Sequence, residues 1–135
     1  MSGAHWAAGL IGMPYRKGAA GPDCWDCWGL VRHVFATRYG IAMPLVAVAD
    51  GSADNVSAIK RAAVVSGWRP AAQPAQDGDI VLMQGIEGRH VGVMVEADGR
   101  LGLLHAMDGA GVCWQGLRDV AAGGFRDFEV WRHTP

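Results

Sequence analysis

The spacing of hydrophobic and polar positions changes about halfway along this chain. From Cys27 onward, Cys27, Leu30, Val31, Val34, Phe35 and Arg38 recur at i, i+3, i+4, i+7 and i+8 and beyond. That spacing predicts one face of an amphipathic helix. Asp26 stands where an N-cap is needed, and Gly40 stands where a helix stops. A second helix is predicted over 53–66, with Ala58, Ile59, Ala62, Ala63 and Val65 facing inward. Upstream, the segment from His5 to Ile11 reads as a short helix ended by Gly12 and Pro14. The stretch "YRKGAAGPD" that follows is a Gly-rich loop.

After "PAQDG" the apolar runs become short, rich in β-branched or aliphatic residues, and separated by Gly-rich turns. Strands are predicted over 79–83, 90–97, 100–107, 111–115 and 128–133, with a helical turn over 117–121. Asp98-Gly99 is a tight-turn signal between the second and third of these strands. Helices first and an antiparallel sheet after give an α+β architecture. No internal repeat or linker divides the chain, so residues 1–135 are expected to form a single domain.

Half of the 135 residues are hydrophobic and 19% are charged, enough for a core that does not depend on disulfides. The formal net charge is −1, with acidic and basic residues interleaved. There is no basic stripe, and nucleic acid is not an expected partner. No apolar run approaches the roughly 20 residues that span a bilayer, so no membrane partner is expected either. The N-terminal apolar patch has no basic residue before it and no clear cleavage site, and it reads as part of the fold. Three cysteines cannot all pair. The expectation is a reduced chain, cytoplasmic where it is made.

The candidate chemistry begins at "PDCWDCWGLV", where Cys24 and Cys27 are two residues apart. A redox dithiol would put the first sulfur at a helix start after a buried strand. Here a polar loop precedes the pair, and the second cysteine opens the helix. A zinc site would need four ligands at paired spacings. Only His90 and His105, fifteen residues apart, are on offer, while Cys113 is isolated. In the third reading Cys27 is a nucleophile at the positive end of a helix dipole, which favours thiolate. Gly29 then opens the same turn to a close approach. A thiol nucleophile needs a base, and the base needs an orienting partner. His90 and His105 flank the predicted Asp98-Gly99 hairpin about equally far from its middle, so they are expected nearly opposite each other. The competing reading is a buried core thiol with two histidines capping strand ends.

The blocks "GMPYRKG" (12–18), "DCWGLVRHVF" (26–35), "GDIVLM" (78–83), "HVGVMV" (90–95) and "LLHA" (103–106) together resemble the NlpC/P60 family of papain-like cysteine peptidases. The resemblance runs from about Trp6 to about Met107. It implies a papain-like α+β fold in which the nucleophile helix packs on an antiparallel sheet. It also implies hydrolysis of amide bonds in peptidoglycan stem peptides, typically beside a γ-linked D-glutamate, with no metal or other cofactor. By that resemblance Cys27 is the nucleophile, His90 the base and acid, and His105 its orienting partner. Tyr15 would help hold the oxyanion, and Asp26 would face a substrate amine. The Trp-rich "DCWGLVR" version is similar to the phage tail-associated branch, which makes phage tail proteins expected partners and a virion a possible destination. A tail structural protein that keeps the fold, and a related amidase or acyltransferase, are the alternatives. This chain departs from the family loop at Gly18-Ala19, where Gly-Gly is common, and Cys24 lies outside the family pattern. By spacing alone Cys24 could cap Cys27 as a disulfide under oxidising conditions.

Two further residues have two readings each. Trp28 either walls the substrate cleft or packs in the core. Arg89 either binds a substrate carboxylate or is a solvated strand-end charge. Asp79 reads as a turn residue. His5, His33 and His133, and the remaining tryptophans, read as packing or surface residues.

Overall fold

The computed structural model describes residues 1–43, 60, 61, 64, 67–86 and 88–134. The helix predicted over 53–66 falls, apart from three positions, outside these residues. Helix α1 spans Cys27–Val34 and continues through one wider π-type turn, Phe35–Tyr39, to Gly40. Gly40 adopts the left-handed conformation (φ 68°) that ends a helix cheaply when no Cβ is present. Of the predicted face, Leu30, Val31, Val34 and Phe35 are buried. Arg38 is exposed and lies over the Trp6 ring instead. The helix expected from His5 to Ile11 is shorter than predicted. Only Ala8–Leu10 forms a single 3-10 turn, with no side-chain cap at its start.

Six strands follow: β1 Trp68–Ala71, β2 Ile80–Gly85, β3 Gly88–Ala97, β4 Arg100–Met107, β5 Gly111–Gln115 and β6 Arg126–His133. Helix α2, Leu117–Ala122, joins β5 to β6. The sheet order is β1-β6-β2-β3-β4-β5, and every neighbouring pair is antiparallel. Strand β1 was not anticipated because Arg69 and Pro70 interrupt its pattern. Pro is tolerated there because β1 is an edge strand that pairs on one side only. The β3–β4 turn has both Asp98 (φ 54°) and Gly99 (φ 74°) at positive φ, as a two-residue hairpin of matching twist requires.

The central strands read as nearly continuous apolar runs because both faces of the sheet are covered. Ile80, Leu82, Val91, Val93, Val95, Leu104 and Ala106 pack in one cluster with Leu30, Val31, Val34 and Phe35 of α1. Val81, Met83, Met94, Leu103 and Val130 form the other cluster, with Val120 of α2 and the half-buried Phe125. Burying a side chain of this size stabilises by roughly 1.5–3 kcal/mol, so two such faces hold the sheet rigidly between its helices. Asp79 is buried at the start of β2. It accepts two hydrogen bonds from the Arg132 guanidinium (2.8 and 2.9 Å) and one from the Gln76 N–H (2.7 Å). A carboxylate in so apolar a place is tolerable only when its lone pairs are filled in this way.

Candidate active site

The first turn of α1 is built by its own sequence. Asp26 caps it in an extended conformation and accepts a hydrogen bond from the Gly29 N–H. The Asp26 N–H donates to the Ala19 carbonyl (2.8 Å). Gly29 leaves the room that this loop needs. A Cβ there would meet the Ala19 carbonyl oxygen and come within 2.8 Å of Asp26 Oδ1. The Gly-rich loop is thereby pressed onto the helix start, and Cys27 is left half-buried at its first position.

Cys27 lines a cavity of about 540 Å³ together with Tyr15, Asp26, Arg89 and His90. Asp108, Ile86 and Phe125 also line it, and none of these three was singled out from the sequence. Trp28 is not among the lining residues. It packs in the core, 3% exposed, one position round the helix from Cys27. Cys24, Cys27 and Cys113 are all free thiols. Among the described residues no group of three or more His, Cys, Asp or Glu is arranged to hold a metal ion.

The histidines meet, though not directly across the hairpin. The register Val93↔Leu104 sets His105 against residue 92, two positions from His90, so the pair lies on a diagonal of one face. His90 Nε2 is 2.8 Å from His105 Nδ1. His105 is fully buried, and its Nε2 is 2.9 Å from Gln115 Oε1 on β5. Cys113, opposite His105 on β5, adds a sulfur contact of 3.4 Å to the same nitrogen and directs its S–H to Gln115 Oε1 (3.8 Å). This chain of contacts fixes the tautomers. An amide oxygen only accepts, so His105 Nε2 carries its proton and Nδ1 is left with a lone pair. His90 must therefore donate from Nε2, which leaves the His90 Nδ1 lone pair as the free base. Gln115 was missed because a lone Gln on a short strand has no sequence signature. Its two-residue offset from Cys113 is the only signal that could have found it.

The protonation balance differs from the expected thiolate. The Cys27 thiol is pushed up to about 11, first by burial and then by the adjacent Asp26 carboxylate. Backbone N–H groups of Val91, Trp28 and Cys27 act in the opposite direction and are outweighed. His90 is pushed down to about 3, by burial first and by His105 second. His105 is also lowered by burial, against a smaller upward pull from Gln115. The resting pair is thus neutral thiol and neutral imidazole. A helix terminus contributes a fraction of a charge, and the loss of solvation is the larger effect here.

Residues 12–122 match the model of the NlpC/P60 family. The chain belongs to the NlpC/P60 family. Among solved structures it is similar to the NlpC/p60 domain of the peptidoglycan hydrolase SagA, with 26% identity and a TM-score of 0.56 over 92% of this chain and 91% of that one. That likeness extends to the papain-like arrangement, with the helix that opens at Cys27 packed on an antiparallel sheet. An N-acetylmuramoyl-L-alanine amidase from Bacteroides uniformis ATCC 8492 matches at 23% identity over 65% of this chain and 46% of its own, at a TM-score of only 0.37. No curated protein sequence matches the chain. The family match ends just before Phe125, which also lines the cavity.

Proposed function

We propose that this NlpC/P60 protein is a cysteine hydrolase that cleaves amide bonds in peptidoglycan stem peptides, with a γ-D-glutamyl linkage as the bond cut. The observation that carries the reading is the ordered relay Gln115–His105–His90 beside Cys27. It leaves one imidazole nitrogen unprotonated in the same cavity as a thiol at a helix start. The likeness to a peptidoglycan hydrolase domain supports the substrate class.

In the proposed reaction Cys27 Sγ attacks the scissile carbonyl while its proton passes to His90 Nδ1. The new oxyanion is held by the Cys27 N–H at the helix start and by the Tyr15 hydroxyl. The imidazolium that forms keeps its Nε2–H on His105 Nδ1, and Gln115 holds His105 in the accepting tautomer. His90 then gives its proton to the leaving amine. In the second half it takes one from water, which attacks the thioester and returns the thiol. In this reading Arg89, which lines the cavity, binds a substrate carboxylate. Asp26 and Asp108 on the same cavity then face a substrate ammonium. We also propose service to a phage or prophage tail, supported by the resemblance of "DCWGLVR" to that branch. Co-purification with tail components would test it.

The direct experiment incubates defined stem peptides with the wild type, Cys27→Ala and Cys24→Ala and measures new amines. New amines from the wild type and Cys24→Ala, and none from Cys27→Ala, are expected. Equal turnover by the wild type and Cys27→Ala, or loss only in Cys24→Ala, overturns the reading.

A further inference from the structure

We propose that Phe125, in the segment between α2 and β6, is a positioning residue for His90, and that Gly85 is glycine in order to admit its ring. The role of His90 as base rests on the function proposed above; the clamp itself is a matter of geometry. The Phe125 ring stacks on the His90 imidazole, with centroids 4.8 Å apart and planes at 25°. The same ring meets His105 edge-on at 6.1 Å and 77°. His90 and His105 are themselves crossed at 5.1 Å and 69°. One hydrogen bond through Nε2 would leave the imidazole free to swing about that bond. A flat apolar ring against one face removes this freedom and keeps water from that face.

Gly85 is an independent observation. It pairs with Gly88 at the end of the β2–β3 ladder, and its φ is not positive, so the backbone does not demand glycine there. An ideal Cβ at this position would lie 2.8 Å from Cε1 and 3.1 Å from Cδ1 of Phe125. The missing side chain is therefore space for the ring. Phe125 lies just past the residues matched by the family model. The titratable and charged groups around His90 are Cys27 and Asp26 from α1, His105 and Asp108 from β4 and its exit, Arg89 on its own strand, and Tyr15. Its partner across β2, Met83, is apolar. None of these residues is itself replaced in the Phe125 variants, so a change in His90 titration reports the loss of the ring and of the cover it gives.

The test compares wild type, Phe125→Ala, Phe125→Leu, Gly85→Ala and the Gly85→Ala/Phe125→Ala double variant. His90 is titrated by NMR, Cys27 alkylation is followed against pH, and kcat and KM are measured on stem peptide. In Phe125→Ala the His90 titration is expected to rise toward the ordinary imidazole range. The acid limb of kcat should move with it, and kcat should fall roughly three- to tenfold, the range of a lost ring stack, with KM less affected. Gly85→Ala should shift His90 in the same direction, and the double variant should be no worse than Phe125→Ala alone. Should Phe125→Ala not fold, Phe125→Leu and Gly85→Ala give the same two comparisons. An unchanged His90 titration in the folded variants, or additive effects in the double variant, overturns the clamp. The NMR and alkylation measurements need no substrate, so a wild type inactive on stem peptides would sink the proposed function and leave this result standing.

Discussion

Replacing His90 with glutamine should make the protein less sensitive to acid, and the size of the effect follows from the site. His90 is held near 3 in the folded chain against an ordinary value of 6.5, with burial the larger cause and His105 the smaller. Because the folded value is depressed, the neutral ring is favoured by folding. The stability it supports is fully present above pH 6.5. It is lost as pH falls, because the unfolded chain takes up a proton that the folded chain refuses. The slope is about 1.4 kcal/mol per pH unit for one proton, and by pH 4.5 the accumulated loss is roughly 2.7 kcal/mol. That figure changes little wherever the folded value lies below about pH 4. Glutamine suits the substitution because its amide N–H can still donate to His105 Nδ1 without titrating. Urea unfolding of wild type and His90→Gln at half-unit steps from pH 7.5 to 4.5 measures the difference. Carboxylates titrate alike in both proteins and cancel. Parallel curves, with no growing gap below pH 6.5, would refute the buried neutral base.

Three other outcomes follow from the same geometry. Iodoacetamide should label Cys27 slowly at pH 7, with a rate that climbs about tenfold per pH unit toward pH 10, because burial and Asp26 hold the thiol near 11. A plateau below pH 8 would contradict this. Gln115→Leu removes the acceptor that orders both histidines, and kcat should fall on the order of tenfold, matching about 1.4 kcal/mol for one hydrogen bond in a relay. Gln115→Glu, which still accepts, should recover most of that loss, and equal activity of Gln115→Leu and wild type would remove Gln115 from the relay. Arg132→Ala strips two hydrogen bonds from the buried Asp79 and should lower the urea midpoint, because it leaves a carboxylate inside the protein without its partner. Double replacement with Asp79→Asn should restore part of it, and a strictly additive cycle would argue against the pair.

Elements whose chemistry is local could be read in the sequence, and those assembled by the sheet could not. Cys27, Leu30, Val31, Val34 and Phe35 announce their helix because 3.6-residue spacing is written in adjacent positions. The turn at Asp98-Gly99 is legible for the same reason. Strand β1 is hidden because its two central residues, Arg69 and Pro70, are tolerated only by an edge, and edges are defined by topology. The helix expected from His5 shrinks to one turn because nothing caps its start. The meeting of His90 with His105 was visible from hairpin symmetry, but the diagonal offset depends on a register fixed by which faces are buried. Gln115 and Phe125 reach the site from β5 and from the segment before β6, and no spacing along the chain relates them to His90.

The neutral resting pair changes what the helix terminus is for. If the dipole served mainly to hold a thiolate, its stabilisation would be present before the reaction and would lower the barrier little, since only interactions stronger in the transition state raise the rate. Here desolvation and Asp26 keep the sulfur protonated despite three backbone N–H groups nearby. Those donors therefore meet a full charge only when one develops on the sulfur and then on the carbonyl oxygen. The same holds for His90, which burial keeps uncharged at rest and whose standing hydrogen bond to the His105 Nδ1 lone pair strengthens as the ring accepts a proton and becomes charged. In the proposed hydrolase, burial raises the energy of both charged forms in the free protein. The fixed N–H groups and the Gln115–His105 relay lower it again along the reaction path, where the stabilisation counts toward rate. Opening the cavity to water by removing Phe125 would weaken both halves of that arrangement at once.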